Sequence, residues 1–450
     1  MTTLLGPRIR RRQFLRAGVA TAAGALILPG RAPAQGGAKP LAGKTLNVAC
    51  WSSPYAKLLT DYVPQFEEAT GAKVVYNTPA FPIYNQRMDI ELSTRSAAHD
   101  VINVTFIYSG RWVGAGWTTP LDDFIKDPRK TPVDFEPGDF LPGTTAAFKD
   151  AEGSLHAIPW IADAQQAGAT RYDLIEQAGF QQPDNFDQMP ALLKALKAKG
   201  GPAPFATENH YGWQFPPYLL AFGGLIFRHA PDDLHPMLDT PEAIHAAEFF
   251  SDMLRSYGPD GILSYTYDQV AQALKDGTIN YSTNNETFLV RMAESDSKVA
   301  NTCALSMMPA GPAGRFPNVA SHGWGMPVAA RNKDASWEFI TWAMSKQLLS
   351  RMFHEKGYSS VTRASMIAQP EFEKKLMING FDGAKIYRDT LDLAGKGYTV
   401  YRTVAPYPPI DRELDNAIQT IVSQQMSAKE AMQQAQQNSL RALQRAGVKL

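Results

Sequence analysis

The chain has 450 residues and an ordinary globular composition, with 44% hydrophobic and 20% charged residues. Its 44 Lys and Arg balance 44 Asp and Glu, but six arginines and no acid lie in residues 1–34. The other 416 residues are mildly acidic, with 38 basic and 44 acidic side chains. This argues against a nucleic-acid partner, because phosphate binding needs clustered Lys and Arg. Two cysteines exclude a disulfide scaffold and a multi-cysteine metal cluster.

Residues 1–34 have the pattern of an export signal. Arginines at positions 10–12 precede Gln13-Phe14-Leu15, an apolar run follows at 17–28, and Ala32-Pro33-Ala34 has the small residues of a cleavage site. The paired arginines resemble the twin-arginine signal, which exports folded proteins; a basic N-terminal tail is the alternative. Gln35 stands where a lipid anchor would need Cys. We therefore predict a signal peptide cleaved near Ala34 and a periplasmic protein.

The first elements of the mature chain predict parallel α/β units. Residues 44–50 alternate as in a strand, and the apolar positions at 58, 62, 66 and 69 indicate a helix. Pro64 predicts a kink or restart in that helix, and Gly71 its end. A second strand is expected at 74–76, a helix at 84–97 and a strand at 100–104. Strand, helix and strand at this spacing form a parallel unit.

Later in the chain, capping signals mark three helices. Thr240-Pro241 predicts a helix start and Gly258 its end. Asp334 is the expected cap of a helix that buries Trp337. Ser427 and Glu430 have the spacing of a capping box, which predicts a helix from there onward.

The sequence contains none of the usual local signatures of catalysis or metal binding. The eight histidines form no HExxH pattern, and there is no GxSxG, phosphate-binding loop or strand-following GxGxxG motif. We therefore predict no catalytic residue, no metal site and no cofactor, although a triad assembled from distant residues stays open. Cys50 and Cys303 could pair in an oxidising compartment, and whether they do is left open.

Several stretches together resemble the extracellular solute-binding proteins of family 1, the sugar-binding proteins of ABC transporters. Their order and spacing over nearly the whole mature chain carry the resemblance. A proline typical of the family is absent from the segment 359–363, which reads Ser-Ser-Val-Thr-Arg. The matching stretches are 99–104 with 116–122, 153–159 with 171–179, 273–282, 323–328 with 333–346, and 426–447.

The resemblance implies an α/β, two-lobed periplasmic binding protein fold of type II, with a ligand cleft between lobes that close by a hinge. The chain would cross between lobes near 159–165, 323–327 and 357–363. Residues 35–160 with 326–360 would form the N-terminal lobe, and 161–325 with 361–450 the C-terminal lobe. The function implied is binding of a sugar, polyol or short oligosaccharide, by a monomer that delivers it to ABC permease subunits and catalyses nothing.

A sugar site needs rings for stacking and polar groups for its hydroxyls, at the strand ends and crossings that border the cleft. For several of these residues, packing in the core or exposure on a loop is the competing interpretation. The weaker candidates are Arg402 and Tyr407. The predicted ligand-binding residues are Trp51, Tyr108, Asp163, Trp213, Asn284, Asn285, Glu286, Trp324 and Arg402.

Three other functions stay open. A secreted glycoside hydrolase could use paired carboxylates such as Asp163 and Glu286. A binding protein of the same fold could take a phosphate ester or a polyamine. A metal-ion carrier is disfavoured, because the histidines are scattered and lack ligand spacing.

Overall fold

The computed structural model describes residues 39–285 and 290–450. The predicted signal peptide and Glu286 therefore lie outside the described residues. The strands are β1 (Thr45–Ala49), β2 (Lys73–Asn77), β3 (Val101–Thr105), β4 (Ala157–Arg171), β5 (Ala203–Phe205), β6 (Phe227–His229), β7 (Asp233–Pro236), β8 (Ile279–Asn285), β9 (Cys303–Ser306), β10 (Val319–Gly325), β11 (Met377–Ile378) and β12 (Phe381–Asp382).

Helices cover much of the remaining chain. None of the helices among the described residues combines the length and apolarity needed to cross a membrane. They are α1 (Pro54–Thr60), α2 (Val63–Thr70), α3 (Phe81–Ser93), α4 (Phe106–Gly114), α5 (Asp122–Lys126), α6 (Pro142–Thr145), α7 (Tyr172–Gln177), α8 (Met189–Lys199), α9 (Tyr211–Gln214), α10 (Pro216–Ala221), α11 (Pro241–Tyr257), α12 (Tyr267–Lys275), α13 (Lys333–Ala343), α14 (Lys346–Lys356), α15 (Ala364–Ile367), α16 (Pro370–Leu376), α17 (Gly383–Ala394), α18 (Tyr407–Val422) and α19 (Ala428–Arg445).

One mixed sheet organises the molecule, with the strand order β2-β1-β3-β10-β4-β8-β5 and with β9 also paired to β4. The strands β1, β2 and β3 are parallel, as the sequence predicts. The strand β10 runs antiparallel to both β3 and β4. The carboxyl ends of β1 and β3 therefore meet at one edge of the sheet, beside the central antiparallel strands.

The 15-residue strand β4 belongs to both halves of this sheet. Its first part pairs with β10, and its second part pairs with β8 and β9. Between the two parts, the pairing register with β8 shifts between Gln165 and Gly168. Gln166 has a φ of +62° at this point, a left-handed conformation uncommon outside glycine. The first crossing predicted from the sequence is therefore a continuous strand with a bulge.

The helix signals in the sequence are confirmed with one correction. The helix restarts at α2, with Pro64 in its first turn, and Gly71 ends α2 with a φ of +77°. Thr240 caps α11, and the capping box of Ser427 and Glu430 opens α19. Asp334 does not cap α13, because Asn332 occupies the cap position and Asp334 lies in the first turn.

Most of the core consists of two clusters of buried apolar side chains. The first draws on residues 41–164 and 319–394, and the second on residues 167–308 and 401–443. The segment 361–394, which the sequence analysis assigns to the C-terminal lobe, thus packs in the first cluster. The lobe boundaries themselves stay a prediction. Cys50 and Cys303 lie in different clusters, and both are free, buried thiols.

Candidate functional site

A cleft of about 520 Å³ opens where the two parts of β4 meet. Trp51 and its neighbours line it at the end of β1, and Asp163 and Gln165 line it from β4. Glu208 and Trp213 line another side, in the segment that runs from β5 into α9. The volume is that of a pocket for a small molecule.

Aromatic rings form one wall of the cleft. Trp51 lies edge to face against Phe81, with 5.2 Å between the ring centroids, and its centroid is 5.0 Å from that of His322. The Trp51 Nε1 and His322 Nδ1 atoms are buried, and neither has a hydrogen-bond partner among the described residues. Such atoms cost free energy unless something pairs with them. Both line a cleft that can hold a ligand.

Burial and the nearby positive charge of Arg402 lower the pKa of His322 to about 3. The imidazole is therefore neutral at any physiological pH, with one nitrogen as a donor and the other as an acceptor. It adds hydrogen-bonding capacity to the wall without adding a charge.

Asp163 supplies a carboxylate on β4. Its Oδ1 accepts a hydrogen bond from Ser360 Oγ at 2.8 Å, so the third predicted crossing supports a residue of the first. Burial raises the pKa of Asp163 to about 6, although the bond from Ser360 opposes that change. At pH 7 and above the carboxylate is ionised and accepts hydrogen bonds only.

Gln165, two residues further along β4, connects several side chains beneath the cleft. Its Oε1 accepts from Trp213 Nε1 at 2.6 Å and from the two terminal nitrogens of Arg402 at 3.3 and 3.4 Å. The Arg402 guanidinium lies 4.3 Å from the ring centroid of Phe106 and 5.7 Å from that of Trp213. Arg402 is therefore held between rings behind the cleft, since it is only 5% exposed.

Glu208 provides a second carboxylate. It accepts hydrogen bonds from Gln214 Nε2 at 2.8 Å and from Asn284 Nδ2 at 3.3 Å. Burial raises the pKa of Glu208, while the charge of His210 and the two amide bonds act in the opposite direction. The Asn284 Oδ1 atom is buried without a partner among the described residues, which adds another unpaired acceptor near this carboxylate.

His210 lies beside Glu208 and points its Nε2 at Asp411 Oδ2, 3.3 Å away. Burial lowers the pKa of His210, but Asp411, Glu208 and Asp415 together outweigh that effect and raise it to about 9. The imidazolium therefore offsets part of the negative charge that the carboxylates bring to this side of the cleft.

The structure brings several predicted residues together. Trp51, Asp163 and Trp213 line the cleft. Asn284 and Arg402 lie behind it, where Asn284 donates a hydrogen bond to Glu208 and Arg402 donates to Gln165. These positions agree with the expectation that strand ends and crossings border the cleft.

Other predicted residues are elsewhere. Trp324 is fully buried in the first core cluster, with its ring centroid 4.9 Å from that of Trp160, and does not line the cleft. Tyr108 also does not line it and packs on Trp112, 5.5 Å between centroids. Both placements correct the sequence analysis. Asn285 ends β8, and Glu286 lies outside the described residues, so the pair of carboxylates proposed for a hydrolase stays untested.

Sequence reasoning missed Phe81, Gln165, Glu208, His210 and His322, which all line the cleft. Two of them carry a signal in the sequence. Gln165 is the last residue of the first predicted crossing, and Glu208 follows the end of β5 by three positions. Within the described ranges, no group of three or more His, Cys, Asp or Glu side chains is placed to hold a metal ion.

The sequence is similar to that of known binding proteins. The erythritol/L-threitol-binding protein of Mycolicibacterium smegmatis is 23% identical over 400 residues, covering 80% of this chain and 82% of that protein. The mannitol-binding protein of Pseudomonas aeruginosa is 23% identical over 388 residues, covering 81% of this chain and 85% of that protein.

The fold is that of a solved solute-binding protein. The crystal structure of an ABC transporter solute-binding protein from Agrobacterium radiobacter, in complex with ribitol, matches with a TM-score of 0.79 and 20% identity, covering 90% of this chain and 100% of that one. The two-lobed α/β fold expected from the sequence is confirmed. Residues 52–348, more than half of the chain, match the family described as bacterial extracellular solute-binding protein. The chain belongs to that family.

Proposed function

We propose that this protein captures a linear polyol or a small sugar in its cleft and delivers it unchanged to the permease subunits of an ABC importer. The observation that carries the proposal is the composition of the cleft, where aromatic rings lie beside an unpaired donor, Trp51 Nε1, an unpaired imidazole nitrogen, His322 Nδ1, and the carboxylate acceptors of Asp163 and Glu208. A hydroxyl group donates and accepts through the same oxygen, so polyhydroxylated ligands pair with both kinds of group.

The alternative solutes fit this lining less well. A polyamine offers only donors, which would leave the indole N–H of Trp51 without an acceptor. A phosphate ester offers mainly acceptors and negative charge, and the acidic side chains that line the cleft (Asp163, Glu208, Asp268 and Glu294) outnumber the basic ones (His210, Arg291 and Lys356). The ligands named for the similar proteins, erythritol or threitol, mannitol and ribitol, are all linear polyols, which supports the same choice.

The test is a thermal melting and calorimetric titration of the mature protein with erythritol, ribitol, D-mannitol and maltose. We expect at least one to raise the melting temperature, because a ligand at 100 times its Kd stabilises the native state by about 2.7 kcal/mol. Spermidine and glycerol 3-phosphate serve as controls for the other solute classes. A rise with one of these controls and with none of the polyols or sugars would contradict the ligand class.

The same samples test whether the protein is a binding protein or an enzyme. We expect every bound compound to be recovered chemically unchanged after prolonged incubation, as measured by NMR. Maltose is included because a glycoside hydrolase would release glucose from it. Release of glucose in proportion to protein concentration would favour the hydrolase over the proposal.

We also propose that residues 1–34 direct export of a folded monomer to the periplasm, where its two lobes close on the ligand as the resemblance implies. The support is the order of the arginine pair, the apolar run and Ala32-Pro33-Ala34. Mass spectrometry of the exported protein should find Gln35 at the N-terminus, and light scattering should give the mass of one chain. Export that persists when Arg11 and Arg12 are both replaced by Lys would contradict the twin-arginine route.

A further inference from the structure

The side-chain amide of Gln165 has a fixed orientation. Its Oε1 faces three N–H groups, one from Trp213 and two from Arg402. An amide rotated by 180° would place its NH₂ against these donors, and all of them would lose their acceptor. The rotated arrangement is therefore strongly disfavoured.

Arg402 stabilises this orientation, because its guanidinium N–H groups have few other acceptors. No carboxylate forms an ion pair with its guanidinium in residues 39–285 and 290–450, and Gln165 Oε1 is the acceptor to which both of its terminal nitrogens donate. The guanidinium itself is fixed over the rings of Phe106 and Trp213. A planar cation stacked in this way loses little further freedom on bonding.

With Oε1 fixed toward these donors, the Nε2 group of Gln165 points the other way. Gln165 lines the cleft, and its Nε2 donates to no acceptor among the described residues. Asp163 lines the same cleft two residues earlier on the same strand, and alternate strand residues lie on one face. The strand thus presents an obligate acceptor and an obligate donor side by side.

We propose that Gln165 is a specificity-determining residue that donates a hydrogen bond through Nε2 to one ligand oxygen, and that Arg402 and Trp213 are positioning residues for it. The inference rests on the proposed function, because the ligand oxygen belongs to a polyol or sugar. It assigns the ligand an oxygen that acts as an acceptor at Gln165, beside a hydroxyl that acts as a donor at Asp163.

Gln165→Glu is the variant that tests the donor. A glutamate keeps the shape and still accepts from Trp213 and Arg402, but its carboxylate cannot donate. At pH 5, where Asp163 is mostly protonated and does not repel the new carboxylate, we expect its melting temperature without ligand to equal or exceed that of the unmodified protein, because the buried guanidinium gains an opposite charge. A clear fall in that temperature would overturn the contacts of Trp213 and Arg402 with this side chain, on which the orientation of the amide rests.

The decisive measurement uses fluorinated ligands, because C–F accepts a hydrogen bond weakly and cannot donate one. The Kd of each monodeoxyfluoro analogue is compared with that of its parent, whichever of erythritol, ribitol and D-mannitol binds the unmodified protein most tightly. At one ligand position, we expect Gln165→Glu to raise the ratio of the fluoro Kd to the parent Kd at least tenfold. The parent hydroxyl can donate to the new carboxylate instead of accepting from the amide, whereas fluorine can only accept.

Gln177→Glu, an exposed residue at the end of α7, is the matched control and should leave every ratio unchanged. Arg402→Met keeps an apolar chain over the rings but frees the amide, so it should reduce the difference between the analogue and its parent. Equal ratios at all positions in Gln165→Glu and the unmodified protein would overturn the inference. Failure of the unmodified protein to bind any polyol or sugar would overturn the proposed function, and the melting temperature of Gln165→Glu would still test the contacts that orient the amide.

Discussion

Ser360 Oγ donates a hydrogen bond to Asp163 Oδ1 at 2.8 Å and accepts one from the main-chain N–H of Ala162 at 2.9 Å. One hydroxyl therefore joins the segment after α14 to β4 and also orients the carboxylate in the cleft. The family's usual proline is missing from this segment, and a proline at position 360 would have no hydroxyl to donate. The departure from the family pattern thus has a direct consequence for the site.

Asp163→Asn should stabilise the protein without ligand at pH 7.5. Burial raises the pKa of Asp163 from 3.8 to about 6, so the folded state binds the proton more tightly than the unfolded state. The contribution of Asp163 to stability is therefore fully present below pH 3.8 and is lost as the pH rises through 6. Asparagine removes this penalty, which we put at about 1–2 kcal/mol for a partly exposed side chain. Urea unfolding at pH 4 and pH 7.5 measures the difference.

The control for that experiment is Asp123→Asn, which neutralises an exposed acid in α5. It should change the unfolding midpoint at neither pH. A stabilisation by Asp163→Asn that is as large at pH 4 as at pH 7.5 would contradict the assigned cause.

Ligand affinity should fall as the pH is lowered through 6. A protonated Asp163 has one acceptor fewer, so the Kd for the ligand should rise about tenfold between pH 7.5 and 5. His322, with a pKa of about 3, and His210, with a pKa of about 9, keep their charge states across this range. Calorimetric titrations should give a flat profile for Asp163→Asn, and an equally steep one would assign the effect to another group.

Trp51 and Trp324 form a matched pair, because the Nε1 atom of each is buried without a partner among the described residues. Trp51→Phe should weaken ligand binding about fivefold, since an N–H that pairs with the ligand contributes on the order of 1 kcal/mol. Trp324→Phe should leave the Kd unchanged and lower the melting temperature, because it creates a cavity in the core. Titration and melting of both variants separate the two roles, and a loss of affinity specific to Trp324→Phe would restore the original sequence prediction.

The contact of His210 with Asp411 should make stability depend on alkaline pH. Asp411, Glu208 and Asp415 overcome the effect of burial and raise the pKa of His210 from 6.5 to about 9. The stabilisation is complete below pH 6.5 and is lost as the pH rises through 9. His210→Gln should therefore remove most of the decrease in the urea midpoint between pH 7 and 9.5. His229→Gln, on an exposed hairpin, is the control and should keep the full decrease.

The early α/β units were predictable because their signals are local. The alternation before Cys50, the restart at Pro64 and the capping box at Ser427 each depend on residues close in the chain. Trp51 and Asp163 could be placed for a related reason, since each follows from its position on a strand or a crossing.

Trp324 could not be placed correctly, because its distance from the cleft depends on how β10 pairs with its neighbouring strands. Trp324 pairs with Asn103 and Ile158, and its ring packs against Trp160 and Phe339 in the core. His322 lies two residues earlier, opposite Thr105 at the carboxyl end of β3, and lines the cleft. The pairing between strands distant in the chain sets this difference, so the local sequence does not reveal it.

The bulge in β4 has a consequence for any rotation between the halves of the sheet. Since one main chain runs through both, a change of angle in this strand would be concentrated in a few torsions around Gln166, where the φ is already +62°. A rotation about so short a pivot moves nearby atoms least. Gln165 is next to Gln166, so such a rotation would displace it less than the residues at the rim of the cleft.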